Sequence, residues 1–288
     1  SAVGLSPTPA DTTAINADTI PPALMDADLL HPNANGYKAM ATGVHSAIVA
    51  RGWTGVLPVP AAPSVGVNDY SYRFVASRST TPADSAIASL NNEVEAGTDL
   101  VQAVSTKQPL LRRTANDAWV DFDGTDDVLA LPSFSPSGGV TVAILARVQS
   151  TAFTSLVNLS NSGGLNIQMV SQPQVGTAKL DLRAGTDPRL GLSDTTKNPG
   201  DGAWHLLVGV FNGASSIVAF DTVATSGSIG AGLANRLSFG DTNMGGLGGV
   251  PTNYDVAEIL VYNRALTSAE ITGTLFPAVK ANHPTLMP

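Results

Sequence analysis

AWVDFDGTDDVLALP, residues 118–132, is the stretch from which the fold is read. Trp119, Asp121 and Asp123 fall on one face, and Val120 and Phe122 on the other, the two-residue period of a half-buried strand. The DGTD that follows suits a tight turn, because Asp and Gly tolerate the backbone angles a turn requires.

Segments of the same kind recur on either side. They are YSYRFVA (70–76), VTVAILARV (140–148), KLDLRA (179–184), WHLLVGVF (204–211), SIVAFDTV (216–223), RLSFG (236–240) and VAEILVY (256–262). Each is rich in β-branched or aromatic residues and bounded by Gly, Asn, Asp or Pro. About ten short strands with frequent turns predict an all-β sandwich. In VAEILVY, simple alternation puts Val256, Glu258, Leu260 and Tyr262 on one face, opposite Ala257, Ile259 and Val261. A carboxylate among apolar neighbours needs a partner, so Glu258 is expected at a sheet edge or paired with an arginine. Thr267 and Glu270 have the spacing of a capping box, which predicts a helix near the C-terminus. There is no internal repeat and no low-complexity tract.

Composition agrees with a folded, turn-rich chain. Of 288 residues, 43% are hydrophobic and only 13% charged, with 28 glycines and 19 prolines. Such a chain buries a sizeable core and relies on Ser, Thr, Asn and Gly at its surface. The net charge of −8, with no Lys/Arg cluster, is a poor match to nucleic acid or anionic lipid. No apolar run reaches 18 residues, so membrane insertion is not expected, and no basic-then-apolar start marks a signal peptide. Export would require a signal already removed or another route, such as assembly into a virion. The absence of cysteine excludes disulfides, thiolate metal sites and a Cys nucleophile.

The chain divides into three zones. Residues 1–57 end in GYKAMATGVHSAIVARGW, where Tyr37, Met40, Ala41, Val44 and Ile48 form the apolar stripe of one amphipathic helix. Residues 58–67, PVPAAPSVGV, read as a stiff proline-rich linker. Strand periodicity begins at Asn68.

Four phrases in the last zone carry a resemblance. They are ADSAIASLNNEVEAGTDLVQAVSTKQPLL (83–111), AWVDFDGTDDVLALP, DGAWHLLVGVFNG (201–213) and YDVAEILVYNRALTSAEI (254–271). In this order they resemble the laminin-G-like or concanavalin-A-like jelly-roll modules of bacterial and phage surface proteins, over about 200 residues. The resemblance implies a mainly β fold, an antiparallel two-sheet jelly-roll sandwich over residues 68–288. It does not imply one function, because such folds host lectins, adhesion modules, glycanases and spacers. The expected role is binding a cell-surface polysaccharide or glycan outside a cell or on a virion, the alternatives being a targeting module of a polysaccharide O-acyl esterase and a spacer or oligomerisation element of a fibre. A homotrimeric fibre would supply avidity.

Candidate site residues follow from the chemistry of sugars, which combines an aromatic platform with polar groups that read hydroxyls. The Gly-rich loop GDTNMGGLGGVPTNYD offers Asn243, Asn253 and Tyr254. Trp204 opens a strand in a family phrase and is expected to pack in the core, and His205 to be structural. Asp121, Asp123, Asp126 and Asp127 are hard oxygen donors on a turn, which suits Ca²⁺. Many relatives of the fold hold a structural Ca²⁺ in rim loops. The spacing nevertheless lacks Asp-x-Asp-x-Asp-Gly, so an ordinary turn is the first expectation and calcium at Asp123 and Asp126 the alternative. No other cofactor is expected.

ALMDADLLHPNANGYKAMATGVHSAIV, in the first zone, resembles the C-terminal end of an SGNH/GDSL hydrolase. The matching motif is Asp28-Leu29-Leu30-His31-Pro32-Asn33, followed by Gly36-Tyr37. The resemblance implies that His31 is a general base and Asp28 the residue that orients it. The family's Gly-Asp-Ser nucleophile motif is absent from the sequence. A His–Asp pair without a nucleophile does not run acyl transfer. The expectation is therefore a chain that starts inside a hydrolase domain, without esterase activity of its own.

Overall fold

The structure, a computed structural model, describes residues 63–288 apart from 96, 137, 150–153, 160–166, 172–179, 185–188, 195, 230–235 and 241–252. The chain divides into two units, Ser1–Pro60 and Ala61–Pro288, and every described residue belongs to the second. The helix expected over 36–51 and the Asp28–His31 motif lie outside the described residues.

Strands dominate the described residues. In chain order they are β1 (Tyr72–Val75), β2 (Ser85–Ala86), β3 (Ser89–Leu90), β4 (Leu100–Val101), β5 (Leu110–Arg113) and β6 (Ala118–Asp123). There follow β7 (Leu129–Leu131), β8 (Val140–Val148), β9 (Thr154–Asn158), β10 (Ile167–Ser171), β11 (Leu180–Ala184) and β12 (Arg189–Gly191). The last are β13 (Trp204–Phe211), β14 (Ser216–Phe220), β15 (Val223–Gly227), β16 (Leu237–Phe239) and β17 (Asn253–Tyr262). The first sheet has the order β15-β14-β13-β8-β17-β6-β5-β2, with β1 beside the C-terminal part of β17. The second has the order β12-β11-β10-β9-β16-β7-β4-β3. Both are antiparallel and pack face to face, as the strand pattern predicted.

The core lies between the sheets. Phe74, Phe122 and Ile144 of the first meet Leu156, Leu182 and Phe239 of the second, all essentially without exposure. Burying side chains of this size stabilises by about 1.5–3 kcal/mol each. Val120 and Phe122 face this core while Trp119 and Asp121 keep to the other side of β6, in line with the alternation.

The outward face of the first sheet is apolar as well, and it is covered. Leu145, Val208 and Leu260 on the sheet pack against Ile271, Leu275 and Val279 of a C-terminal helical segment. That segment runs as an α-helical turn (Ser268–Glu270), a π-helical stretch (Ile271–Leu275) and an α-helix (Phe276–Asn282). Its start is the predicted capping box: Thr267 Oγ1 accepts from Glu270 N, and the Glu270 carboxylate accepts from Thr267 N at 2.8 Å. Among the described residues no helix is long and apolar enough to cross a membrane.

Residues 63–67, expected as the end of the linker, pack on this same face. Val65 and Val67 are buried with the helix, Tyr262 Oη donates to Val67 O at 3.0 Å, and Arg73 Nη1 donates to Pro63 O at 2.7 Å. Gly66, with φ +79°, turns the chain between the two valines.

One face assignment in β17 is corrected. Val256 joins the inter-sheet core with Ile259 and Val261, whereas Ala257 lies outward with Leu260 and Tyr262. The cause is a β-bulge: Val256 pairs with Ala146 and Glu258 with Leu145, leaving Ala257 extra. One inserted residue reverses the alternation before it relative to that after it. Glu258 finds the expected arginine: Arg73 lies 2.6 Å from it, and His283 Nε2 is 2.7 Å from its other oxygen.

Candidate functional site

One end of the first sheet gathers most of the chemistry-bearing residues. Register places Asp123 opposite Asn253, Tyr254 opposite Val148, and Trp204 opposite Arg147. The ends of β6 and β8 and the starts of β13 and β17 therefore lie together.

The turn after β6 forms one corner of this end. Gly124 has φ +82°, and a Cβ there would stand 3.0 Å from Asn253 Cβ, so glycine is required. Asp123 Oδ1 accepts from Thr125 N at 2.7 Å, and Asp127 Oδ2 accepts from Asp123 N at 3.0 Å. Asp123, Asp126 and Asp127 bring carboxylate oxygens within 4.8 Å of one another. Burial pushes Asp127 up to about 6, and the charges of Asp123, Asp126 and Asp121 add to the effect against the hydrogen bond from Asp123 N. These donors have the hardness Ca²⁺ prefers. Two of the three already accept from the turn's own backbone, so the turn accounts for their position.

Of the expected ligand contacts, Asn253 is partly exposed at this end, beside Gly124. Asn243 lies outside the described residues. Tyr254 is corrected: it is fully buried, stacked on Phe122 with ring centroids 4.9 Å apart. Its hydroxyl donates to Leu156 O at 2.8 Å and accepts from Gly240 N at 2.9 Å, tying the first sheet to the second. It faces the core because it precedes the bulge, in phase with Val256, and this leaves it no surface for a ligand.

Trp204 packs against the apolar cluster on the outward face of the first sheet rather than between the sheets, and is partly exposed there, edge-to-face with Trp119 at 6.0 Å. Arg147, on β8 between the strands of Trp204 and Asp255, has its guanidinium carbon 5.4 Å from the Trp119 ring centre and 5.2 Å from that of Trp204. Asp255, fully buried, takes Arg147 Nε at 2.7 Å, Arg147 Nη2 at 2.5 Å and Gln149 Nε2 at 2.8 Å, all on Oδ2. Burial pushes the Asp255 carboxyl up, opposed by Arg147 and Gln149. Asp121, opposite Asp255 on β6, accepts from Arg112 Nε at 2.8 Å. The row Trp204, Arg147, Asp255, Asp121 thus crosses four adjacent strands. Of these residues the sequence reading named only Trp119, Trp204 and Asp121. Arg147 and Asp255 were missed, although each is a charge near the end of a mostly apolar strand.

His205 is structural, as expected. Its Nδ1 lies 2.8 Å from Asp221 Oδ2 and its Nε2 3.1 Å from Asp201 Oδ1. Burial disfavours its charged form, but the two carboxylates outweigh that and raise its pKa.

The second sheet differs in its outward face. Leu180, Leu182, Leu237 and Phe239 point to the core. Alternation therefore turns Asp181, Arg183 and Ser238 away from it, where they are nonetheless nearly fully buried.

A family model described as the concanavalin A-like lectin/glucanases superfamily matches residues 123–272, more than half of the chain. No curated protein matches the sequence. Among solved structures, the Trypanosoma rangeli sialidase in complex with sialic acid is similar with a TM-score of 0.52 at 13% identity, over 85% of this chain and 40% of that one. The chain thus spans about 40% of the sialidase's length, and the likeness is one of fold. Domain 4 of AbnA, a GH43 extracellular arabinanase from Geobacillus stearothermophilus, in complex with arabinotriose, is similar with a TM-score of 0.41 at 17% identity, over 58% of this chain and 81% of that one.

Proposed function

The chain belongs to the concanavalin A-like lectin/glucanases superfamily, and from that membership we propose that its β unit binds carbohydrate at the end of the first sheet just described. One observation carries this reading. The outward face of that sheet changes, past the helix, from an apolar packing surface to two partly exposed indoles flanking held polar groups. Sugars present an apolar C–H face and a rim of hydroxyls, and such a surface offers both complements. Asn253 at the same end adds an amide.

The setting that fits this role is extracellular or on a virion, with several copies, as in a homotrimer, raising weak single-site affinity. A second reading is favoured by the Asp28-Leu29-Leu30-His31-Pro32-Asn33 motif. In it the parent protein is an ester hydrolase acting on surface polysaccharide, and the β unit is its targeting module. Asp28 and His31 would then serve a serine nucleophile, which this sequence does not carry as Gly-Asp-Ser.

A glycan array probed with the intact chain tests the first reading, and release of acetate from an aryl acetate tests the second. Binding to at least one glycan is expected, with no turnover. An array without signal overturns carbohydrate binding. Turnover that His31→Ala abolishes would favour an esterase complete within this chain.

A further inference from the structure

The outward row of the first sheet is built more specifically than a general aromatic surface, and its charges identify the ligand class. We infer that Trp119, Trp204 and Arg147 form a site for uncharged glycans, in which Arg147 reads hydroxyl or ring oxygens. This rests on the carbohydrate-binding reading above.

The first point is position. Along β17 the outward residues Tyr262, Leu260 and Glu258 lie beneath the helix and tail, whose hydrogen bonds to this strand reach as far as His283 on Glu258. Asp255 lies outward beyond Ala257 and the bulge, and among the described residues its side chain has polar contacts only with Arg147 and Gln149. The sheet therefore carries a charge pair in two central strands beyond the His283–Glu258 contact.

The second point is cost. A buried carboxylate is expensive even when paired, and hydrophobic residues of similar volume stabilise a sheet as well or better. Asp255 Oδ1 is moreover buried without a hydrogen-bond partner among the described residues. Stability alone gives no reason for this arrangement. It does hold a guanidinium in one place. Two of its nitrogens are fixed on Asp255 Oδ2, and its plane lies near two indoles, so little rotamer freedom is left to lose on binding.

The third point is what remains available. Arg147 is 31% exposed, and its Nη1 has no partner among the described residues. Asp121 is 21% exposed, and its Oδ1 likewise has no partner among them. They stand two strands apart on the same row, about 10 Å. A donor and an acceptor at this separation, beside indole surface, match the alternating hydroxyls of an oligosaccharide.

The fourth point is charge. Arg147 is neutralised by Asp255 and Arg112 by Asp121 and Asp84, while Asp123 and Asp201 stand at the same end. With the chain at −8, no uncompensated cation is left at this end among the described residues to draw an anion. Uronates, sialates and sulfated sugars would meet net repulsion, so the site selects against them.

The test titrates the intact chain with neutral oligosaccharides (cello-, xylo-, manno- and galacto-series) and with acidic ones (oligogalacturonate, sialyllactose). At least one neutral series should bind, with the acidic sugars about tenfold weaker or undetectable. Trp204→Ala should weaken the neutral ligand by about tenfold or more, while Trp204→Phe retains most of the affinity. Arg147→Lys, which keeps the charge beside Asp255 but loses the planar fork, should weaken it similarly without unfolding the chain. Preference for the acidic sugars overturns the inference. So does neutral binding that both Trp204→Ala and Arg147→Lys leave unchanged, although the carbohydrate reading then survives. Failure of the unaltered chain to bind any sugar removes both.

Discussion

Arg73 and Glu258, 185 residues apart in the chain, meet at 2.6 Å with side chains only 2% and 1% exposed. The pair fixes β1 against β17, and through His283 it anchors the tail that follows the helix. Removing one member leaves a buried charge uncompensated, so Glu258→Ala or Arg73→Ala should cost about 3–5 kcal/mol. The double replacement Arg73→Met with Glu258→Leu should recover most of that loss. Urea denaturation reads both, and single variants that lose under about 1 kcal/mol would contradict the account.

Tyr254 should behave as a structural residue. Tyr254→Phe removes the hydroxyl that joins Leu156 O and Gly240 N across the sandwich, leaving two buried backbone groups short of a partner. The expected loss is about 1–3 kcal/mol, with glycan retention unchanged in the folded fraction. Unaltered stability together with lost retention would return Tyr254 to the binding surface.

Gly240 is the tightest point of the same junction. Its φ is +74°, and a Cβ would come within 2.4 Å of both Asp127 O and Phe122 Cδ1. Gly240→Ala should therefore lower the melting temperature markedly, more than Gly202→Ala, where φ is +80° but nothing lies within 4 Å. Equal shifts for the two would show that backbone angle alone matters.

Asp127, His205 and Glu270 each contribute to the pH dependence. Asp127 titrates near 6 when folded against 3.8 ordinarily, so the folded state binds the extra proton and stability falls as pH rises through that window. His205, raised above 6.5, contributes stability below that value and loses it as pH rises further. Glu270, lowered to about 2 by Arg264 and the Thr267 cap, contributes stability above 4.5 and loses it as pH falls. The melting temperature should therefore peak near pH 4 and fall as pH rises toward neutrality. Asp127→Asn, which keeps an acceptor for Asp123 N, should raise stability at pH 7 by roughly 1–3 kcal/mol and flatten the acid slope. A variant no more stable at pH 7 than the parent would contradict this.

The sequence revealed what depends on local pattern. The long strands 118–123, 140–148 and 204–211 showed themselves by alternation or by apolar runs, and Thr267–Glu270 by its capping spacing. Strands as short as Ser85–Ala86 or Leu100–Val101 hold too few residues to display a period. The bulge at Ala257 escaped because alternation assumes one residue per step, and the face of Val256 was misjudged with it. The cluster of Trp119, Arg147, Trp204 and Asp255 escaped for another reason. Its members come from four strands, and only the pairing register brings Trp204 to Arg147 and Arg147 to Asp255.

The most direct test of the central claim is NMR chemical-shift mapping of the intact chain, titrated with a neutral oligosaccharide taken from the array. Carbohydrate binding at the described end predicts shifts concentrated in the backbone amides of residues 121–127, 147–149, 201–205 and 253–255, with Trp119 and Trp204 indole N–H signals moving together. Shifts confined to the opposite end, around Thr141 and Leu266, or no shift with any sugar, would contradict it.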